Sequence, residues 1–157
     1  MKPLVVYYSR TGTTREAALG IAENLNAEIE EIKDKKSRKG IRGWLSAGKD
    51  AATKNPADIT EIKKNPKEYD LVVIGTPVWA GTMAPAIRTY LNQHKIKKAA
   101  FFCTSGSGKE AVTFSDMLEI ALGSKLVAQL SLSAKDVKSK KIGEKLNRFI
   151  AQIRSCR

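Results

Sequence analysis

Residues 8 to 16 read Tyr8-Ser-Arg-Thr-Gly-Thr-Thr-Arg-Glu16, and this stretch is the strongest single indication of the fold. The run before it, Pro3 to Tyr8, is apolar on successive residues, which is typical of a strand covered on both faces of a parallel sheet. A helical pattern from Thr13 to Leu25 follows. The stretch is therefore a turn from a buried strand into a helix, where unpaired N–H groups and the helix dipole favour an anion.

Hydroxyl side chains crowd this turn around Gly12, at positions Ser9, Thr11, Thr13 and Thr14. Two interpretations are open, a phosphate-binding loop and a simple N-cap in which one hydroxyl accepts from the first helical N–H groups. Four hydroxyls in six residues exceed what one cap requires, which favours the phosphate site. The loop lacks the Gly-x-x-x-x-Gly-Lys-Ser/Thr pattern of the Walker A motif, so nothing here indicates a triphosphate with magnesium.

Strand and helix patterns alternate along the whole chain. Predicted strands cover Pro3–Tyr8, Glu28–Lys33, Leu71–Thr76, Ala99–Cys103 and Lys125–Leu132. Predicted helices cover Thr13–Leu25, Ala84–Asn92, Lys109–Leu122 and the segment from about Ala134 to the C-terminus. This alternation predicts an α/β fold with a doubly wound parallel sheet, in which ligands lie at the carboxyl ends of the strands.

The composition indicates one soluble domain over residues 1–157. The sequence shows no secretory signal pattern and no apolar stretch long enough to span a bilayer, so we expect a cytoplasmic protein. The only cysteines, Cys103 and Cys156, lack metal-site spacing and are expected to be free thiols.

The net charge of +12 concerns partners and solubility rather than fold. Between residues 33 and 67 there are 11 Lys and Arg against 4 Asp and Glu, and a second basic run covers residues 138–157. A solvated basic surface is the favoured interpretation, because most charge runs are of this kind. An acidic partner, an anionic substrate or nucleic acid remain alternatives.

Two further loops follow the third and fourth predicted strands. The first reads Gly75-Thr-Pro-Val-Trp-Ala-Gly-Thr-Met-Ala-Pro85 and places Trp79 among small residues, either as a surface for a flat ligand or packed back on the core. The second reads Thr104-Ser-Gly-Ser-Gly-Lys-Glu-Ala111, and its glycines let backbone donors approach a ligand closely. This second loop matches Gly-x-Gly-x-x-Ala, but no acid follows in the next strand, so a nicotinamide fingerprint is not favoured.

Together the three loops resemble the flavodoxin family over nearly the whole chain. The first loop matches the family's phosphate motif, Ser/Thr-x-Thr-Gly-x-Thr, from Ser9 to Thr14. The resemblance implies a three-layer sandwich with a five-stranded parallel sheet in the order 2-1-3-4-5, of the short-chain form, with FMN bound noncovalently. It also implies an electron-transfer protein with a redox partner or a small acceptor, as a monomer or homodimer.

The resemblance assigns the cofactor site residue by residue, with no catalytic residue and no metal ligand. The expected phosphate residues are Ser9, Arg10, Thr11, Gly12, Thr13 and Thr14, where the Arg10 side chain either reinforces the phosphate site or points outward. The residues expected near the flavin ring, with Trp79 stacked on it, are Pro77, Val78, Trp79, Ala80, Gly81, Cys103, Thr104, Ser105, Gly106, Ser107 and Gly108. An FMN-dependent quinone or flavin reductase is the first alternative function, and an anion- or nucleic-acid-binding module is the third.

Three features depart from the family pattern. Ala80 stands where many members have a glycine whose peptide flips toward the reduced flavin, and a positive φ is costly for alanine. No aromatic residue lies between Thr104 and Thr113, so one flavin face is expected to be open. Typical members are acidic, whereas this chain is strongly basic.

The segment Asp34 to Tyr69 is predicted to be a long loop, and such loops are commonly functional. Its stretch Ile41-Arg-Gly-Trp-Leu45 offers two interpretations. In the first, Trp44 or Leu45 lies near the cofactor edge and helps to form a substrate or partner site. In the second, the stretch only anchors the loop by local packing, and this second interpretation is favoured. His94 is expected to face solvent, and the Cys103 side chain to be a small core residue.

Overall fold

The computed structural model describes residues 1–35, 40–106, 109–139 and 142–156, without the side chains of residues 40, 41, 44 and 47. Its strands are β1 (Pro3–Tyr7), β2 (Glu28–Glu31), β3 (Leu71–Trp79), β4 (Thr82–Met83), β5 (Lys98–Ser105) and β6 (Lys125–Ser133). Its helices are α1 (Thr13–Leu25), α2 (Gly40–Ala52), α3 (Pro85–Gln93), α4 (Glu110–Ile120), α5 (Ala134–Lys138) and α6 (Gly143–Ser155), with a 3₁₀ turn at Pro66–Glu68.

The long strands form a parallel sheet in the order β2-β1-β3-β5-β6. Counted along the five predicted strands this is the order 2-1-3-4-5, so the predicted topology is confirmed. The sheet has one strand more than predicted, because β4 folds back antiparallel on the end of β3. The extra strand lies at the carboxyl edge, where the predicted ligand site is.

Successive side chains of β1 contribute to two separate hydrophobic cores, one on each face of the sheet. Leu4 and Val6 pack in a cluster with Tyr90 of α3 and Met117 of α4. Val5 packs in a second cluster with residues of α1 and α6. The unbroken apolar run of β1 therefore has its predicted cause, which is burial on both faces.

The prediction of a long loop between β2 and β3 is wrong in part, because this segment contains helix α2. Gly43 and Ala51 of α2 are buried, and the helix contacts β3, β4 and α3. Small residues let this helix approach the sheet, but three of its 13 residues are glycines, which have a low helix propensity, and for this reason the helix was not predicted. Leu45 is 59% exposed, while the Trp44 side chain lies outside the described residues.

The predicted continuous C-terminal helix is two helices, α5 and α6. The Ser133 hydroxyl caps α5 by accepting from the Asp136 N–H at 2.9 Å. The α6 helix buries one side of its surface on the sheet through Leu146, Phe149, Ile150 and Ile153. No helix in the described part of the chain has both the length and the apolar character needed to cross a membrane.

Of the lesser predictions, the one for His94 is wrong and those for the cysteines as free thiols and for Cys103 as a core residue are confirmed. His94 is half-buried rather than solvent-facing, because its ring lies 4.7 Å from the ring of Tyr90. Burial and the nearby charge of Lys67 lower the pKa of His94. Cys103 and Cys156 are free thiols, and Cys103 is fully buried in the core, where burial raises its pKa to about 12.

Candidate functional site

An open cleft lies at the carboxyl edge of the sheet, between the ends of β1, β3 and β5. The residues that line it are Arg10, Thr11, Thr13, Thr14, Pro77, Val78, Trp79, Thr104, Ser105, Gly106 and Ala134. All three predicted loops thus contribute to one site. This convergence follows from parallel strand pairing, which brings the carboxyl ends of neighbouring strands to the same edge.

The loop after β1 leaves the start of α1 without a side-chain cap. Gly12 is the N-cap residue, with φ of 97°, and no side chain within the described residues accepts from the first helical N–H groups. The Ser9 hydroxyl instead accepts from the Gly12 N–H at 3.1 Å, which closes the turn. The hydroxyls of this loop therefore do not serve as a helix cap, and the N-terminus of α1 stays available to an anion.

A buried hydrogen bond connects the first loop with the end of β5. The hydroxyl oxygens of Thr14 and Thr104 lie 2.8 Å apart, and the two residues are only 2% and 5% exposed. Thr11 is exposed and Thr13 half-buried, so their hydroxyls border the open part of the cleft. The first loop is thus anchored through Thr14 and open to a ligand through Thr11 and Thr13.

Arg10 carries a buried donor that has no partner. Its Nε atom is inaccessible to solvent, and within the described residues nothing accepts its hydrogen. Its guanidinium carbon lies 6.0 Å from the centre of the Trp79 ring, which places the positive charge between the first loop and the loop after β3. Buried donors are seldom left unpaired, so an orphaned cationic donor lining a cleft suits an anionic ligand group.

Trp79 is half-buried, and the interpretation that it packs back on the core is confirmed. Its ring meets the ring of Tyr8 edge-on, with centroids 5.4 Å apart and planes at 88°, and it packs against the core cluster. It also lines the cleft. The core contact therefore fixes the indole at the border of the cleft.

A two-residue turn, Ala80-Gly81, joins β3 to β4. Both residues have positive φ, 49° and 80°, which is the sign pattern of a type I′ hairpin turn. Glycine adopts this conformation without cost, but for alanine the left-handed region is unfavourable by about 1–2 kcal/mol. The positive φ that is costly for alanine is therefore present at Ala80, together with a positive φ at Gly81.

Several predicted site residues do not line the cleft. Ser9 and Gly12 shape the first turn, while Ala80 and Gly81 form the hairpin tip, where the Lys109 stem lies close to Gly81. The Cys103 side chain belongs to the core, so only its backbone is placed near the end of β5. Ser107 and Gly108 lie outside the described residues.

Ala134 lines the cleft and was missed by the sequence-based prediction. It is the first residue of α5 and follows β6, whose end pairs with the end of β5 through Ser105 and Ser133. The available signal for Ala134 was its position directly after the last strand. Any residue directly after β6 reaches the same edge as the three predicted loops.

A buried charged cluster, also missed, lies behind the hairpin and comprises Lys54, Thr82, Arg88 and Asp116. The Asp116 carboxylate accepts from all three of the others and is 4% exposed. Burial by itself raises the pKa of Asp116, but hydrogen bonds from Arg88, Thr82 and Lys54 outweigh this and hold it at about 2. A charged residue among the buried positions of α4 was the available signal.

Comparison with solved structures places the chain among flavoproteins. A flavoprotein from Lactobacillus acidophilus, solved in complex with FMN, is 26% identical, with a TM-score of 0.71 over 88% of this chain and 97% of that one. A putative flavoprotein from Bacteroides eggerthii is 22% identical, with a TM-score of 0.73 over 88% and 94% of the two chains.

A more distant solved structure is an NAD(P)H:quinone oxidoreductase from Methanothermobacter marburgensis, which is 14% identical, with a TM-score of 0.52 over 94% and 93% of the two chains. No curated protein sequence matches the chain. The sequence profile of the flavodoxin family, in contrast, matches residues 2–139. With the confirmed strand order, this match shows that the chain belongs to the flavodoxin family.

Proposed function

We propose that this protein binds FMN in the cleft and transfers electrons through it. The observation that carries the proposal is the uncapped N-terminus of α1 beside the unpartnered Nε of Arg10, because together they form a site for a phosphate. The similar flavoprotein from Lactobacillus acidophilus, solved with FMN, supports the identity of the ligand.

The residues present divide naturally into a phosphate end and a ring end. Arg10, Thr11 and Thr13, with the first N–H groups of α1, would hold the phosphate. Trp79 would stack on the isoalloxazine, and the backbone of residues 103–106 would meet its polar edge. When bound, FMN supplies the one- or two-electron redox chemistry, while the chain binds it, orients it and excludes water from it.

An electron carrier is the favoured form of this function, with an acidic redox partner because the chain carries a net charge of +12. One observation favours an FMN-dependent quinone or flavin reductase instead. The loop after β5 lines the cleft with Thr104, Ser105 and Gly106, and none of these covers a flavin face with an aromatic ring. An uncovered face leaves room for a small acceptor.

The unpaired Cys103 and Cys156 suit a reducing compartment, so the cytoplasm is the proposed location.

The first test is spectroscopic. The purified protein is expected to be yellow or to become so on addition of FMN, with flavin released on denaturation. A colourless protein that takes up no FMN in equilibrium dialysis would falsify the proposal. If it instead bound nucleic acid with steep salt dependence, the basic surface would be the functional one.

The phosphate end is tested by Arg10→Met, with Arg15→Met as the matched control. Arg15 is exposed, and it hydrogen-bonds to Tyr7 and Glu31 instead of lining the cleft. We expect Arg10→Met to weaken FMN binding about tenfold, since a charge-assisted hydrogen bond is worth about 1.5–3 kcal/mol. Riboflavin, which lacks the phosphate, should bind both variants equally. Equal losses of FMN and riboflavin on Arg10→Met would exclude a phosphate contact.

Carrier and reductase are separated by turnover. The FMN-loaded protein is mixed anaerobically with NADH or NADPH and then with a quinone. A carrier is expected to show no steady-state turnover and to exchange electrons only with a protein partner, more slowly as ionic strength rises. Sustained quinone reduction would establish the reductase.

A further inference from the structure

We propose that the buried cluster of Lys54, Thr82, Arg88 and Asp116 is a positioning device, which holds the hairpin carrying Trp79 in the geometry required by the flavin ring. The inference rests on the proposed FMN function. It adds four residues that lie outside the cleft and would act on the ring end of the ligand alone.

The Asp116 carboxylate is the centre of the cluster. One of its oxygens accepts from the Thr82 hydroxyl and from the Arg88 guanidinium. The other accepts from Lys54 Nζ at 2.9 Å and from Arg88 at 3.4 Å. Arg88 also donates to the Thr82 hydroxyl at 3.0 Å, so that the three buried members bond to one another in a closed set.

Thr82 connects this cluster directly to Trp79. The two residues are partners across the antiparallel hairpin, flanking the Ala80-Gly81 turn. Strand β4 has only two residues, and so short a hairpin is unstable without outside support. The side chain of Thr82 supplies that support by fixing the strand to α3 through Arg88 and to α4 through Asp116.

The charges make this support directional. An apolar contact would stabilise the hairpin at many nearby positions, whereas hydrogen bonds to one carboxylate fix Thr82 in a single place. Buried ion pairs are weak evidence for stability, but they can specify geometry. Both Arg88 and Asp116 are nearly inaccessible, at 7% and 4% side-chain exposure, so water does not substitute for either partner.

Lys54 extends the device to the segment between β2 and β3. It follows α2, has a left-handed backbone with φ of 55°, and is 58% exposed along its side chain. Its ammonium nevertheless contacts the buried carboxylate. The cluster therefore joins the end of α2, β4, α3 and α4 at one point behind Trp79.

The test compares two buried threonines. Thr82→Val removes the hydroxyl that connects the hairpin to Asp116, while Thr82→Ser keeps it. The matched control is Thr89→Val, because Thr89 is equally buried and its hydroxyl bonds the backbone of Ala57 rather than the hairpin. All variants are compared as folded proteins, under conditions where their circular dichroism is that of the wild type.

Three probes separate the two ends of the ligand, namely FMN, riboflavin and inorganic phosphate as a competitor. We expect Thr82→Val to weaken FMN and riboflavin alike by about tenfold, equivalent to about 1.4 kcal/mol. The inhibition constant of phosphate, measured by its competition with FMN, should stay unchanged. Thr82→Ser and Thr89→Val should bind both flavins within about twofold of the wild type.

A second measurement, on the protein without FMN, follows the fluorescence of Trp79. The chain has two tryptophans, so a Trp44→Phe background leaves Trp79 as the only one. We expect Thr82→Val in this background to increase acrylamide quenching of Trp79 and to lower its fluorescence anisotropy, with no such change for Thr89→Val.

The outcomes are distinguishable. If the wild type binds FMN but Thr82→Val and Thr89→Val behave alike, the positioning role is wrong and the proposed function stands. A higher inhibition constant of phosphate in Thr82→Val would also overturn the positioning role, because the effect of the substitution would then not be confined to the ring end of the ligand. If the wild type binds no FMN, the proposed function itself fails, and the Trp79 readout alone decides whether the cluster holds the hairpin.

Discussion

The hydroxyl oxygens of Thr14 and Thr104 are 2.8 Å apart, although the two residues are separated by 90 positions in the sequence. This buried contact joins the first helix to β5 beside the cleft that both residues line. It also sets the distance between the proposed phosphate end and the loop proposed to meet the flavin ring. A site on separate loops is preorganised only when such contacts fix the loops relative to each other.

The contact is expected to be measurable as a coupling energy. In a double-mutant cycle of Thr14→Val and Thr104→Val, the free energy of unfolding from urea titration should show a coupling of about 1 kcal/mol, as for a buried hydrogen bond. Thr104→Val paired with Thr89→Val serves as the control, because Thr89 bonds Ala57 and Pro85 instead. A cycle at Thr14 and Thr104 that is as additive as the control would contradict the bond.

Replacing Ala80 by glycine should stabilise the protein. The left-handed backbone at Ala80, with φ of 49°, is free of strain for glycine, and we expect a gain of about 1 kcal/mol in the free energy of unfolding. The same change at Ala151, exposed within α6, should instead cost about 1 kcal/mol. Thermal and urea unfolding measure both, and a loss of stability on Ala80→Gly would show that this turn is not strained.

Asp116→Asn should destabilise the protein by about 3 kcal/mol at pH 7, because it leaves Arg88 buried without its counter-charge. The change should also alter acid stability. The pKa of Asp116 is lowered from 3.8 to about 2 in the folded state, so its stabilising contribution is complete above pH 4 and is lost as pH falls toward 2.

Between pH 5 and pH 2, the free energy of unfolding of the wild type should therefore fall more than that of Asp116→Asn. Other carboxylates titrate in both proteins and cancel in the difference. Parallel pH profiles from urea titrations would mean that the Asp116 carboxylate has no favourable partners in the folded state.

Gly75→Ala should be among the most damaging single substitutions. A methyl group at Gly75 would lie 1.9 Å from the ring of Phe102, which is fully buried in the core. We expect a loss of several kcal/mol or failure to fold. Gly20→Ala in α1 is the control, since its methyl would meet the Leu146 side chain of α6 at an ordinary contact distance of 3.8 Å. Alanine also has the higher helix propensity, so this change should stabilise the protein by up to about 1 kcal/mol. Similar stabilities for both variants would refute the packing argument.

The elements predicted most accurately are those whose signal is local and strong. Helix α1 was predicted with its observed bounds, and the burial of β1 follows from its continuous apolar run. Helix α2 was missed because three of its 13 residues are glycines, which have a low helix propensity. Strand β4 was missed because two residues are too short for any periodicity, and its pairing depends on the turn at Ala80.

Within the site, the sequence identified the chemical nature of the first loop but not the state of each group. It left open whether the hydroxyls cap the helix, and the fold answers this because Ser9 bonds Gly12 instead. It likewise left open the direction of Arg10, which depends on the ring of Trp79 from a distant loop. Ala134 escaped prediction since only the pairing of β6 with β5 brings it to the cleft.

The alternation of strands and helices could be predicted from the sequence, as could the strand order through the family resemblance and the hydroxyl-rich turn from Ser9 to Thr14 that leads into α1. These properties are carried by neighbouring residues, whose propensities and hydrogen-bonding groups act over a few positions. Only the packing of the folded chain decided the contact of Thr14 with Thr104 and the partners of Asp116. Each of these depends on groups far apart in the chain, which meet only when the packed sheet and helices bring them together.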